Sequence, residues 1–247
     1  MDNDDLPIGR VLSRREVLAL LGVGSFGLLT DRRALIGPGV VQQRLPACVV
    51  RPAQTEGPYF VDRTMERTDI RAEPGKDDVR PGTPLDLEFR VSRVGSGACT
   101  PLAAAMVDVW QCDALGAYSD VKDTNGLFDT RGQKWLRGHQ LTDRSGVARF
   151  TTIYPGWYEG RTVHIHFKVR TPSAGVSRYD FTSQLYFDDA LTDRVFANDP
   201  YAGKSGRRTR NERDGIFRQG GQALMLDVTP TAGGYRGVFE VGLQIPG

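Results

Sequence analysis

Hydrophobic and polar residues alternate with a period of two along several short segments of this chain. In residues 85–91, Leu85, Leu87, Phe89 and Val91 are separated by polar residues. A period of two predicts a strand with one buried face and one polar face. Residues 162–169 show the same pattern, with apolar residues at the odd positions. Similar patterns predict further strands over residues 105–111, 147–153, 183–187, 223–228 and 237–245.

Helical periodicity is rare in the rest of the chain. Beyond the N-terminal segment, only residues 191–197 predict a helix, and residues 203–221 are predicted as a long loop whose basic side chains face solvent. The 29 glycines and 14 prolines exceed average usage and favour short strands joined by turns. The pattern therefore predicts an all-β fold, a single-domain antiparallel β-sandwich with little helix.

The first part of the chain differs in kind from the remainder. Arg14 and Arg15 precede an apolar run at residues 17–29, which has no polar face and so argues against a soluble amphipathic helix. About 13 apolar residues are too few for a comfortable membrane span. We predict a twin-arginine export signal and linker at residues 1–47, a domain at 48–247, a periplasmic or extracellular location, and no stable membrane span after export.

The charge balance bears on the expected partners, and the cysteine content bears on disulfide bonding. The 32 Lys and Arg residues nearly balance the 30 Asp and Glu residues, so the net charge of +2 predicts no nucleic-acid partner. In an oxidising compartment, Cys48, Cys99 and Cys112 allow one disulfide. An extended strand between Cys99 and Cys112 would hold them too far apart to bridge, so we expect any disulfide to involve Cys48.

His164 and His166 are the first candidates for chemistry. Two residues apart on one strand, both imidazoles face the same side, about 6.6 Å apart along the backbone, and could converge on one metal ion. A histidine pair on the wet face of a sheet is an equally good interpretation of these two residues alone. A cupin would need a glutamate a few residues later, but the next one is Glu212.

Longer motifs around this histidine pair favour the metal-site interpretation over a solvent-exposed pair. Residues 152–161 read TIYPGWYEGR, residues 107–119 read VDVWQCDALGAYS, and residues 55–60 read TEGPYF. Residues 137–140 (RGHQ) and 181–187 (FTSQLYF) complete the set. Across most of the chain after the export signal, these motifs resemble the intradiol ring-cleavage dioxygenases, the family of catechol and protocatechuate dioxygenases.

The resemblance implies a non-haem Fe(III) cofactor bound by Tyr118, Tyr158, His164 and His166. Two tyrosinates and one hydroxide would balance the three positive charges of Fe(III), and hard anionic oxygens favour the ferric ion. A free tyrosine has a pKa of about 10, so a strong Lewis acid is needed to keep two of them ionised at neutral pH.

The same resemblance implies roles for three further residues. Arg161 would lie beside the bound aromatic ring and stabilise negative charge that develops on it. Gln184 would lie near the oxygen-binding side, and Tyr59 would line the substrate pocket. His139, the third histidine, is interpreted as structural.

The implied reaction is the cleavage of a catechol-type diol by dioxygen between its two hydroxyl-bearing carbons, to give a muconate-type diacid. The implied partners are therefore a small aromatic diol and dioxygen, and family members form homo-oligomers. Two alternatives stay open: an exported β-sandwich that binds ligands without catalysis, and a zinc hydrolase that uses His164, His166 and one tyrosine.

Overall fold

The computed structural model describes residues 49–62, 65–95, 98–171, 179–206 and 208–245, which form two packed β-sheets. The strands are β1 (Pro84–Val94), β2 (Cys99–Pro101), β3 (Met106–Trp110), β4 (Arg137–Leu141), β5 (Val147–Ile153), β6 (His164–Arg170), β7 (Asp180–Tyr186), β8 (Asp227–Pro230) and β9 (Tyr235–Leu243). The helix α1 spans Asp189–Phe196, and short 3-10 helices lie at Tyr201–Gly203, Asn211–Arg213, Phe217–Gln219 and Gly221–Leu224.

The two sheets confirm the predicted sandwich. The first sheet contains β2, β1, β9 and β8 in that order, with β5 also paired to β1. The second sheet has the order β4, β3, β6, β7, and all its pairs are antiparallel. One pair departs from the predicted antiparallel arrangement, because β1 and β9 run parallel.

Most predicted elements match observed ones, and the exceptions have physical causes. The strand predicted over 223–228 is wrong at its start, where Gly220 has a φ of 107° and a 3-10 helix follows before β8. The strand β4 was not predicted, because its residues lack alternating apolar positions. The loop at 203–221 contains the 3-10 helices at Asn211–Arg213 and Phe217–Gln219, and the side chain of Arg208 in it packs against Asp189 and Asp193 rather than being solvated.

The core lies between the sheets and is built around aromatic side chains. Phe89 of β1 packs against Phe150, Phe167 and Phe239, with ring centroids 5.2–6.1 Å apart. All four rings are buried. They join the two sheets, since Phe167 belongs to β6 and the other three to the first sheet.

We expect Phe89→Ala to lower the free energy of unfolding by about 3–5 kcal/mol, because it leaves a cavity among three other rings. Chemical denaturation followed by fluorescence measures this change. Leu127→Ala is the matched control, since Leu127 is 77% exposed and its loss should change stability by less than about 0.5 kcal/mol. Equal effects of the two variants would contradict the assignment of Phe89 to the core.

The second sheet has a polar outer face that is nevertheless buried. Residues before β1 cover it: Gln54 N–H donates to Thr182 O at 3.0 Å, and Ser183 Oγ donates to Pro52 O at 2.8 Å. Gln184 Nε2 donates to Thr55 O at 2.9 Å. The polar side chains of β6 and β7 are therefore enclosed between the sheet and this covering segment.

The state of the two described cysteines agrees with the prediction made from the sequence. Cys99 is disulfide-bonded and Cys112 is a free buried thiol, which confirms that these two do not pair. Cys48 lies outside the described residues, as does the predicted export signal at 1–47. Among the described residues, every helix is too short or too polar to cross a bilayer.

Candidate metal centre

One row of paired residues crosses all four strands of the second sheet. Trp110 of β3 pairs with Arg137 of β4 on one side and with His166 of β6 on the other, and His166 pairs with Gln184 of β7. Paired residues in a sheet point to the same face. Because the covering segment lies over this face, the row brings a cation, an indole, an imidazole and an amide into one buried layer.

The two histidines of β6 point their Nε2 atoms at one another. His164 and His166 are both buried, and their Nε2 atoms are 3.0 Å apart. His164 Nδ1 lies 2.6 Å from Thr162 O, so the Nδ1 proton is donated to this carbonyl and Nε2 keeps a free lone pair. His166 is oriented by Trp110, whose ring stacks on the imidazole at 5.0 Å with an interplanar angle of 8°.

The two tyrosines reach the histidines from loops. Tyr118 follows β3, and Tyr158 follows the turn at Pro155 and Gly156. A Cβ on Gly156 would come within 2.4 Å of the carbonyl oxygens of Asp113 and Ala114, so only glycine lets the two loops approach this closely. Tyr158 Oη donates to His164 Nε2 at 3.1 Å.

These four side chains fit a metal ion. The Tyr118 and Tyr158 rings are 5.7 Å apart, and the ring of Tyr118 is 6.2 Å from that of His166. Tyr118 is fully buried, yet its hydroxyl makes no hydrogen bond of normal geometry among the described residues, and its polar neighbour is the hydroxyl of Tyr158. Burying an unpaired hydroxyl is unfavourable, and a metal ion bound by its oxygen would remove that penalty. Elsewhere in the described ranges, no cluster of three or more His, Cys, Asp or Glu residues could hold a metal.

Burial keeps the four side chains uncharged when no metal is bound. It raises the pKa of Tyr118 well above its usual value, and the neighbouring Tyr158 adds to this shift. Burial likewise raises the pKa of Tyr158, which Arg161 opposes. Burial and the positive charge of Arg161 lower the pKa of both His164 and His166. A bound cation would therefore displace two phenolic protons.

Arg161 extends over the edge of this group and is held on two sides. Its Nε donates to Asp214 Oδ2 at 2.9 Å, and its Nη2 donates to Gln184 Oε1 at 2.5 Å. Its Nη1 lies 3.5 Å from His164 Nε2. Burial alone would lower the pKa of Arg161, but Tyr158 and Asp214 outweigh that effect and raise it. A permanent positive charge therefore lies beside the two histidines and Tyr158.

Tyr59 packs against the two tyrosines of this group. Its ring stacks on Tyr118 at 4.7 Å and meets Tyr158 edge-on at 6.2 Å. Its hydroxyl donates to Asp123 Oδ1 at 2.6 Å and so points away from the histidines. The nearby Gly57, with a φ of 73°, brings backbone close to His166, since a Cβ there would lie 3.3 Å from Cε1.

The structure brings all seven predicted site residues into one region and leaves His139 out of the ligand group. The roles of the seven stay predictions. Sequence reasoning missed Asp214, a fully buried carboxylate that also accepts from the backbone N–H groups of Thr162, Ile216 and Phe217. Asp214 lies in a loop without periodicity, 53 residues from its arginine partner, so no local pattern identifies it.

Comparisons with known proteins agree with this geometry. A family model described as Dioxygenase matches residues 55–212. Chlorocatechol 1,2-dioxygenase of Pseudomonas putida is 28% identical over 151 residues, 54% of this chain and 52% of that protein. The protocatechuate 3,4-dioxygenase beta chain of Burkholderia cepacia is 33% identical over 141 residues, 52% of this chain and 58% of that one.

A solved structure matches over a larger share of its length. An intradiol ring-cleavage dioxygenase from Tetranychus urticae superposes with a TM-score of 0.65 at 29% identity, covering 80% of this chain and 94% of that one. By contrast, the chain spans about half the length of the curated relatives it matches. The family match at 55–212 includes all seven predicted site residues.

Proposed function

Because this chain belongs to the family of intradiol ring-cleavage dioxygenases, we propose that it is a non-haem Fe(III) enzyme acting on a catechol-type diol. The reaction consumes one dioxygen, breaks the bond between the two hydroxyl-bearing carbons, and places both oxygen atoms in a muconate-type diacid. The observation that carries this proposal is the convergence of Tyr158, His164 and His166 beside the unpartnered hydroxyl of Tyr118.

In this proposal, Tyr118, Tyr158, His164 and His166 hold the ion. Bound Fe(III) supplies the Lewis acidity that keeps the tyrosines and the diol ionised. Tyr118 is fully buried, whereas Tyr158 is partly exposed, so Tyr158 is the tyrosine that an incoming diol would reach first. The phenolate oxygen of Tyr158 therefore accepts a proton from the incoming diol as a general base.

The remaining residues act on the substrate itself. Arg161 places its guanidinium where negative charge develops on the ring during oxygen attack, and it needs no reorganisation because Asp214 and Gln184 already hold it. Tyr59 forms one wall of the substrate region through its ring. Gln184 fixes Arg161 on one side and lies beside His166 in the sheet.

The visible spectrum of the purified protein tests this function directly. We expect a tyrosinate-to-iron charge-transfer band that shifts when catechol is added without oxygen, and one dioxygen consumed per catechol when oxygen is admitted. Resorcinol, whose hydroxyls are too far apart to chelate one ion, is the matched control and should neither shift the band nor react. Mass spectrometry of the product identifies a muconate-type diacid.

Two results would favour the alternatives. A colourless protein without iron after iron-supplemented expression would favour a β-sandwich that binds ligands without catalysis. Stoichiometric zinc, no charge-transfer band and no oxygen uptake would favour a zinc hydrolase at His164 and His166.

We expect Tyr158→Phe to keep part of its iron but to lower turnover of catechol by about 10²- to 10⁴-fold, because the base for the diol proton is lost. Iron analysis and oxygen uptake measure the two effects separately. Tyr235→Phe in the first sheet is the control and should match the wild-type protein in both. Normal oxygen uptake by Tyr158→Phe would refute the assigned role.

Export by the twin-arginine route, a periplasmic or extracellular location, the domain boundary at 48 and assembly into homo-oligomers remain part of this proposal. The disulfide at Cys99 supports an oxidising compartment, where such bonds persist.

A further inference from the structure

Arg137 is a buried cation that forms no salt bridge with any described residue. Its side chain is 3% exposed, and it donates from Nε to Ser119 Oγ at 2.9 Å, from Nη1 to Tyr59 O at 3.2 Å and from Nη2 to Ser119 O at 2.5 Å. Within the described part of the chain, no carboxylate comes within salt-bridge distance of it. Arg170, under the same face, instead pairs with Asp108 at 2.8 Å.

An unpaired buried charge is costly, so it calls for an explanation. Burial lowers the pKa of Arg137 to about 10, and the groups that oppose this shift are Asp120 and the ionised form of Tyr118. The hydrogen bonds of Arg137 go to neutral oxygens and supply no opposite charge. Asp120 therefore offsets part of the charge of Arg137 without forming a salt bridge, and a metal-bound phenolate of Tyr118 would add a second negative charge.

The position of Arg137 links it to both tyrosines of this region. It holds the backbone of Ser119, the residue after Tyr118, and the carbonyl of Tyr59, whose ring stacks on Tyr118. In the sheet it belongs to the same row as Trp110 and His166. Arg137 therefore contacts residues on both sides of Tyr118 in the packing, namely Ser119 in the chain and Tyr59 at its ring face.

We propose that Arg137 is a positioning residue for the metal centre, which orients Tyr118 through Ser119 and stabilises its metal-bound phenolate by charge. This inference rests on the proposed function, since it presupposes a metal held by Tyr118. It adds a role for the RGHQ motif that the ligand set alone leaves unexplained.

Arg137→Gln and Arg137→Lys separate the two parts of this role. Glutamine can still donate to one carbonyl but is neutral, whereas lysine keeps the charge and loses the planar fork. Fe(III) affinity is measured by competition with nitrilotriacetate, together with the position of the charge-transfer band and the unfolding free energy with and without iron. Arg131→Gln is the matched control, because it makes the same change of charge at a side chain that is 68% exposed.

We expect Arg137→Gln to weaken Fe(III) binding by about 10- to 100-fold and to move the charge-transfer band to longer wavelength, since the phenolate loses a neighbouring cation. Arg137→Lys should keep the band near its wild-type position and bind Fe(III) more tightly than Arg137→Gln. Arg131→Gln should stay within about threefold of the wild-type affinity, because its side chain lies at the surface.

Equal affinities and band positions in the Gln and Lys variants would overturn the proposal. The same holds if Arg137→Gln lowers stability equally with and without iron, because that is the behaviour of a structural residue. If the Gln variant does not fold, a band displaced to longer wavelength in Arg137→Lys, which keeps the charge, would overturn it as well. Failure of the wild-type protein to bind Fe(III) would instead disprove the proposed function, so the two failures are distinguishable.

Discussion

Tyr118→Phe is expected to abolish stable Fe(III) binding and, with it, oxygen uptake on catechol. The substitution removes one of the two proposed anionic oxygen ligands. We therefore expect the affinity for Fe(III) to fall by more than the roughly 100-fold that loss of a supporting contact costs. Iron analysis after dialysis and the absorption spectrum measure the loss.

The same variant should fold at least as stably as the metal-free wild-type protein. The Tyr118 hydroxyl is buried without a hydrogen-bond partner among the described residues, so removing it leaves no group unpaired. Tyr59→Phe is the matched control: its hydroxyl bonds to Asp123, and the variant should keep its iron. A charge-transfer band of normal intensity in Tyr118→Phe would show that this tyrosine is not a ligand.

Arg161→Gln should reduce kcat on catechol by about 10²- to 10³-fold while iron content stays near the wild-type level. In the proposed function the guanidinium stabilises charge that develops on the substrate ring, and loss of one such preorganised donor has an effect of this size. Lysine should restore little of the activity, because it cannot donate to Asp214 and Gln184 in the same geometry. Steady-state oxygen uptake separates kcat from KM.

Asp214 offers a second test of the same site. Asp214→Asn keeps Arg161 but removes the charge that holds its Nε, so kcat should fall less than in Arg161→Gln. Arg131→Gln is the control, because the Arg131 side chain is 68% exposed and pairs only with Asp129 at the surface. Undiminished kcat in Arg161→Gln would exclude a role for this residue in stabilising the reaction.

The alternation of apolar and polar residues was sufficient to predict the strands that have one apolar face. The alternation at residues 85–91 and 163–169 predicted β1 and β6 because the core accepts every second side chain. It failed for β4, whose polar residues face the covered side of the second sheet. It also failed at residues 223–226, where Leu224 and Leu226 are buried by a 3-10 turn and a bridge rather than by strand pairing.

The sequence by itself determined the sandwich fold, the shared face of His164 and His166, and the motifs that carry the family resemblance. Only the tertiary structure decided that this polar face is buried. Residues 50–60 cover it through hydrogen bonds to β7, and the periodicity of a strand does not predict such bonds between distant segments. It also decided that Asp214 holds Arg161. Likewise, only packing brings Arg137 to the backbone of Tyr59, where it forms hydrogen bonds but no salt bridge with a described residue. Strand periodicity is a property of adjacent residues, whereas these contacts join residues that are distant in the chain, and packing alone brings them together.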